Sequence, residues 1–180
     1  MIIFINGSIN AGKTTIAKIL AEKIPQTANV EIDKLRNFID WLEIDKAVPI
    51  NLENAVLIIK NFTKHGYNVV VPYPLSQNNY EYFVRELNNF SKQLSFFTLS
   101  PDIKKAQTNT ADRKISQWKH DRIQHHYNIG INNPSFGKII DNTKQTPKET
   151  ANEILSYLTT DNINLDLEET TQIIKEKFDL

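Results

Sequence analysis

The stretch Gly7-Ser8-Ile9-Asn10-Ala11-Gly12-Lys13-Thr14 constrains this chain more than any other, because it fits the spacing G-x-x-x-x-G-K-[ST] with a strand pattern before it and a helix pattern after it. The segment from Ile2 to Asn6 is a short apolar, β-branched run of the kind that forms a buried parallel strand. Beyond the motif, Ile16, Ile19 and Leu20 fall on one helical face until Pro25 ends the helix. Strand, glycine loop and helix in that order make an anion cradle. The glycines let the backbone curl round an anion, the amides point inward, and the helix N-terminus adds the positive end of its dipole. Gly7, Ser8, Asn10, Ala11, Gly12, Lys13, Thr14 and Thr15 are therefore the expected phosphate-binding set. Lys13 would reach the outer phosphates, and the Thr14 hydroxyl would face magnesium.

The other bounds are ordinary. A chain of 180 residues, 40% hydrophobic and 23% charged, suits one globular domain. Its formal net charge is +0, which argues against wrapping duplex nucleic acid or docking on an anionic membrane. Without cysteine it has no disulfide, thiol nucleophile or cysteine-bound zinc. Met1 leads straight into the first strand and no apolar run approaches the ~20 residues of a membrane span, so a soluble cytoplasmic protein is expected.

Strand and helix patterns alternate along the chain. Residues 28–32 read as a second strand and 34–42 as a helix. Residues 51–65 read as a longer helix, with Leu52, Val56, Ile59 and Phe62 at helical spacing and Gly66 closing it. A third strand follows at 67–71, a helix capped by Ser76 runs to 88, and a fourth strand covers 94–99. Ser100-Pro101-Asp102 opens another helix, and 138–141 is a short fifth strand. Thr146-Pro147-Lys148-Glu149 combines a cap, a proline at the first helical position and an acid three residues after the cap, starting a helix that runs to 158. Such alternation predicts a five-stranded parallel sheet with helices on both faces.

Residues 110–128 interrupt this pattern. They are rich in cationic and aromatic side chains and lack a continuous apolar face, so they read as a helical lid. From 101 to 125, Lys104, Lys105, Arg113, Lys114, Lys119 and Arg122 stand against Asp102, Asp112 and Asp121, a local cationic excess suited to a triphosphate. A solvated basic helix face is the competing reading. Trp118 is expected to pack the lid onto the core. His120, His125 and His126 have neither the spacing nor the carboxylate company of a zinc site. Residues 159–180, with six acids and two lysines from 161 onward, read as an appended helix on a 1–158 core domain.

The glycine loop, the run Glu31-Ile32-Asp33-Lys34-Leu35-Arg36 and the run from Asp141 to Ala151 together resemble small P-loop kinases of the chloramphenicol phosphotransferase, shikimate kinase, gluconate kinase and polynucleotide kinase group. The resemblance covers about 1–158 and implies a P-loop NTPase fold using ATP and magnesium. It places Asp33 as the base that aligns and deprotonates an acceptor hydroxyl, and Arg36 as a holder of a substrate phosphate, like the arginine of the polynucleotide kinase D-x-x-R. Asn142 and Thr143 would flank the adenine. The chain departs from the group where Val71-Pro72-Tyr73 replaces a magnesium-associated aspartate, which leaves Thr14 and Asp33 as metal candidates. It departs again at Gln107-Thr108-Asn109, which lacks an arginine and leaves Arg113 and Arg122 as the lid cations. Asp33 also suits a helix cap and Arg36 a surface helix position.

Phosphoryl transfer needs in-line positioning and charge neutralisation more than covalent chemistry. The expected activity is therefore transfer of the ATP γ-phosphate to a hydroxyl of a small molecule, with Lys13, Asp33, Arg36, Arg113 and Arg122 acting. The alternatives are a kinase of a nucleic-acid 5′-hydroxyl or a nucleotide, and an ATPase or nucleotide switch with no acceptor. Phe38, Trp41 and Leu42, between strands two and three, point to a partly apolar acceptor.

Overall fold

In the computed structural model, residues 1–91, 93–108 and 115–158 are described. Five strands form one parallel sheet: β1 (Ile2–Gly7), β2 (Thr27–Asn29), β3 (Asn68–Pro72), β4 (Leu94–Leu99) and β5 (Lys138–Ile140), in the order β2-β3-β1-β4-β5. Around them lie α1 (Lys13–Lys23), α2 (Ile32–Leu35), a 3₁₀ turn (Arg36–Phe38), α3 (Ile44–Lys64), α4 (Gln77–Leu87), α5 (Ile103–Ala106), α6 (Gln117–Asn128) and α7 over residues 147–158.

Strand alternation divides the core in two. Ile2 and Phe4 of β1, with Val69, Val71 and Tyr73, face a cluster that takes in Leu52, Val56 and Ile59 of α3 and Phe83 and Leu87 of α4. Ile3 and Ile5, with Val70, Phe97 and Leu99, face Ile16, Ala17 and Leu20 of α1 and Ala151, Ile154 and Leu158 of α7. The period of two in a strand buried on both faces demands two such layers. Phe4 stacks on Phe96 with ring centroids 4.9 Å apart, and meets Phe83 at 4.7 Å.

The central position of β1 fixes the site. Ile5 pairs with Pro72 of β3, and Gly7 pairs with Leu99 of β4, so three strand ends meet at the same edge of the sheet. The chain runs outward from β1 in both directions, and in open α/β sheets ligands lie at the carboxyl ends of strands beside such a reversal.

Several elements end where the sequence patterns place them and others do not. β4 matches, and Ser76 caps α4 by accepting a hydrogen bond from the Asn79 amide at 3.3 Å. The Thr146 cap of α7 is reciprocal: Glu149 accepts from the Thr146 amide at 2.7 Å, and Thr146 Oγ accepts from the Glu149 amide at 3.3 Å. β2, by contrast, stops at Asn29, and α2 begins at Ile32, inside the expected strand; Val30 still donates its amide to the Val70 carbonyl of β3 at 2.9 Å, and the Val30 and Ile32 side chains are buried in the cluster that holds Leu52 and Val56 of α3. The helix expected over 34–42 is one turn of α2 and one 3₁₀ turn. α3 starts at Ile44, seven residues before the expected start, and carries Pro49 within it.

Candidate active site

The loop between β1 and α1 has the backbone that an anion cradle requires. Gly7, Asn10 and Gly12 all have positive φ, at 137°, 64° and 100°. A Cβ on Gly7 would lie 2.6 Å from the Leu99 carbonyl oxygen, so glycine is obligatory where β1 and β4 converge. Asn10 adopts the left-handed conformation tolerable to asparagine, and its side chain donates to the Ala106 carbonyl at 2.8 Å and the Thr108 carbonyl at 3.3 Å. Its amide therefore braces the loop against the end of α5, while its backbone shapes the cradle. Gly12 is the N-cap of α1, and Lys13, Thr14 and Thr15 form the first turn, with both threonines exposed at the mouth. Lys13 Nζ donates to the Ser8 carbonyl at 2.8 Å, which brings the ammonium over its own loop.

Asn6, which the sequence reading passed over, fixes the floor. It is fully buried; its amide donates to Thr98 Oγ at 3.0 Å and to the Ile131 carbonyl at 3.1 Å, and its oxygen accepts from the Leu75 amide at 2.7 Å. One side chain thus joins β1 to β4, to the turn after β3 and to the segment after α6.

Asp33 lies in the first turn of α2, two positions beyond Glu31, which occupies the N-cap without a side-chain capping hydrogen bond. The carboxyl is open to water yet surrounded closely enough that desolvation raises its pKa above the ordinary aspartate value. The nearby Lys13 ammonium partly opposes that rise, and Glu31 adds to it. The Lys13 charge thus reaches the Asp33 carboxyl. Arg36 is half-buried: Nη2 donates to the Leu42 carbonyl at 3.3 Å, and Nη1 is buried without a partner.

α6 brings two groups to the loop. Ser116 caps it, and Ile123 and His126, three residues apart, form its buried stripe. His126 Nδ1 lies 3.4 Å from Ser8 Oγ; burial first, then Arg122, Lys13 and His125, lower its pKa to about 4, so the imidazole is neutral. Arg122 is exposed and acts on both His126 and Tyr73. Trp118 is 63% exposed and does not pack onto the core, in contrast to the expectation; α6 is held by Ile123, His126 and the Tyr127 hydroxyl, which donates to the Pro101 carbonyl. Arg113 and the first five residues of the expected lid, like 159–180, lie outside the described residues.

Asn142 and Thr143 lie on the far side of the loop. Asn142 donates to the Ala11 carbonyl at 3.0 Å and keeps a buried, unpartnered Oδ1. Thr143 is fixed by the Asp102 amide, which donates to its hydroxyl at 2.8 Å, and Lys105 donates to the carbonyls of both residues at 2.6 Å. A separate cleft of ≈ 210 Å³ between Leu75–Gln77 and Ile129–Phe136 holds no ionisable side chain, so the chemistry belongs to the loop face.

The parallel order, the glycine loop leaving the central strand and the groups around it define the P-loop NTPase fold. No protein-family profile and no curated protein matches the sequence. Solved structures do. The gluconokinase of Sinorhizobium meliloti superposes with a TM-score of 0.66 at 16% identity, over 92% of this chain and 95% of that one. The tunicamycin resistance protein of Deinococcus radiodurans gives 0.65 at 16% identity, over 87% and 94%. The shikimate kinase of Aquifex aeolicus gives 0.56 at 12% identity, over 91% and 99%. The fold is the one that small P-loop kinases share.

Proposed function

We propose that the protein is an ATP-dependent phosphotransferase that moves the γ-phosphate of ATP to a hydroxyl of a small molecule. The observation that carries this reading is an aspartate, Asp33, in the first turn of α2 and within electrostatic reach of Lys13 of the glycine loop. A nucleotide switch has no need of an acid set near the cradle, whereas a kinase uses one to orient and deprotonate its acceptor; an ATPase would use the same acid on water, and acceptor-stimulated turnover separates the two.

Each part of the reaction has a candidate group. The loop amides and Lys13 bind the phosphates, Arg122 supplies lid charge, and Asp33 orients the acceptor hydroxyl and takes its proton. The buried Asn142 Oδ1 is an open acceptor where the resemblance puts the adenine. Magnesium fits the hard oxygen donors Thr14 and Asp33; when bound with the nucleotide it supplies charge neutralisation at the phosphates. Among the described residues no cluster of three His, Asp or Glu exists, so the nucleotide and water would complete its coordination.

Exposed Phe38, Trp41 and Ile44, following α2, favour an acceptor with an apolar portion. Arg36 is turned inward onto the Leu42 carbonyl and not out along an open groove, which favours a small acceptor over a nucleic-acid strand. We place the protein in the cytoplasm, where ATP is abundant; no described helix is long and apolar enough to cross a membrane.

The test is ADP release from magnesium-ATP, with gluconate, shikimate, thymidine monophosphate or water as acceptor, for the wild type and Lys13→Ala. The expected result is acceptor-stimulated turnover that Lys13→Ala abolishes while the fold is retained. ATP binding with no turnover on any acceptor, water included, overturns the reading.

A further inference from the structure

Tyr73 occupies the position at the end of the third strand where a magnesium-associated aspartate is common, and its surroundings give it another use. Its amide donates to the Ile5 carbonyl at 3.1 Å, so the residue continues the β3 register alongside the last turn of β1 before the loop. By strand alternation its side chain shares a face with Val69 and Val71, in the cluster that includes Val30, Ile32 and Leu35. The ring therefore lies in the same buried cluster as Ile32 of α2, the helix that carries Asp33. It is only 9% exposed. No hydrogen bond of the phenol is formed among the described residues, and the buried orphan atoms do not include it.

We propose that the Tyr73 hydroxyl is an acceptor-binding group, donating a hydrogen bond to the oxygen that attacks the γ-phosphorus while Asp33 accepts that oxygen's proton. The inference rests on the kinase reading above. A hydroxyl or water oxygen has two lone pairs and at least one proton: one lone pair accepts from Tyr73, the proton points to Asp33, and the remaining pair is aimed at phosphorus. The new oxygen–phosphorus bond forms as the bond from phosphorus to the β,γ-bridging oxygen breaks. The proton passes to Asp33, and ADP leaves with the bond's electrons. Fixing the nucleophile by two contacts of opposite sense defines its orientation, where a carboxylate alone leaves it free to rotate.

The electrostatics agree with this geometry. Burial first, and then the negative charge of Asp33, push the phenol up to about 12, against the opposing pull of Arg122. The group therefore stays protonated and able to donate throughout the neutral range.

The experiment compares wild type, Tyr73→Phe, Asp33→Asn and the double variant in magnesium-ATP turnover, with water and with gluconate as acceptors, alongside thermal unfolding. Phenylalanine keeps the ring in its packing and removes only the hydroxyl. The expected result is a kcat about tenfold lower, as befits one lost hydrogen bond, with KM for ATP within twofold and Tm unchanged. Because both groups act on one oxygen, the double variant should be no slower than Asp33→Asn alone. A Tyr73→Phe enzyme with the wild-type kcat overturns the inference, as do losses that multiply with those of Asp33→Asn. A wild type that turns over ATP on no acceptor removes the kinase reading itself, and this inference with it.

Discussion

Ser8 of the phosphate loop and His126 of α6 meet at 3.4 Å in the interior, one residue from each end of the nucleotide machinery. Neither side chain has an exposed surface to speak of, and the imidazole lies near two cations, Arg122 and Lys13. The pair joins α6 to the glycine loop. It also sets a condition on pH, because only a neutral imidazole can be accommodated there without adding a third positive charge.

That condition can be measured. In the folded protein His126 titrates at about 4, below its ordinary value of 6.5. Between those values the unfolded chain binds the proton and the folded chain does not, so stability is fully present above pH 6.5 and falls as the solution is acidified toward 4. The depression corresponds to about 3 kcal/mol over that window. Urea unfolding at intervals from pH 7 to pH 4 should show this loss, and His126→Gln should remove most of its slope. Equal pH slopes for the two proteins would show that His126 is not held neutral.

Gly7→Ala should unfold the loop's support without touching a catalytic group. The added methyl would lie 2.6 Å from the Leu99 carbonyl oxygen in a backbone with φ at 137°, and neither β1 nor β4 can retreat from the middle of the sheet. A loss of at least about 2 kcal/mol is expected, or roughly 4–8 °C in Tm. Calorimetry of the variant checks it; an unchanged Tm would mean that the strand ends are not so closely joined.

The elements legible in the sequence are those whose signals are local. The loop with its strand and helix, β4 between its two turns, and the Thr146–Glu149 box are all written in a few adjacent residues. What was not legible depends on neighbours far along the chain. Ile32 looks like a strand residue because a side chain buried in the cluster shared with α3 continues the alternation of Val30, whose amide still bonds the Val70 carbonyl. α3 extends past Pro49 because a proline in its early turns removes one hydrogen bond while the remaining turns are held by buried Ala47, Asn51 and Leu52. His126 gives one hint, its position three residues after Ile123 on the buried stripe of α6. Tyr73 gives another, continuing the Val69, Val71 alternation past the strand end. Asn6 gives none that separates it from any polar residue at the end of a strand.

Asp33→Asn should lower kcat by roughly 10²–10⁴-fold with little change in nucleotide affinity. The wild-type rate should fall as pH drops through the Asp33 pKa. Since burial raises that pKa, the acidic limb should lie above the range of an ordinary aspartate and vanish in the variant. A pH–rate profile measured under ATP saturation settles the point. A variant that binds ATP weakly but turns over normally when saturated would remove Asp33 as the base and leave it only the role of holding metal and nucleotide.

Arg122 lies on α6, in the part of the expected lid that falls within the described residues. It is exposed, forms no ion pair among the described residues, and its charge acts on both Tyr73 and His126. A cation held over the phosphates in the ground state would add mainly to binding, whereas one that engages as charge shifts in the transition state adds to rate. Arg122→Ala should therefore lower kcat by about 10²–10³-fold and weaken ATP binding by less than tenfold. Hydrogen exchange of α6 should slow when a non-hydrolysable ATP analogue is bound, because the phosphates give that helix partners beyond Ile123, His126 and Tyr127. Unchanged exchange in α6 together with an unchanged kcat in the variant would remove Arg122 and its helix from the catalytic apparatus.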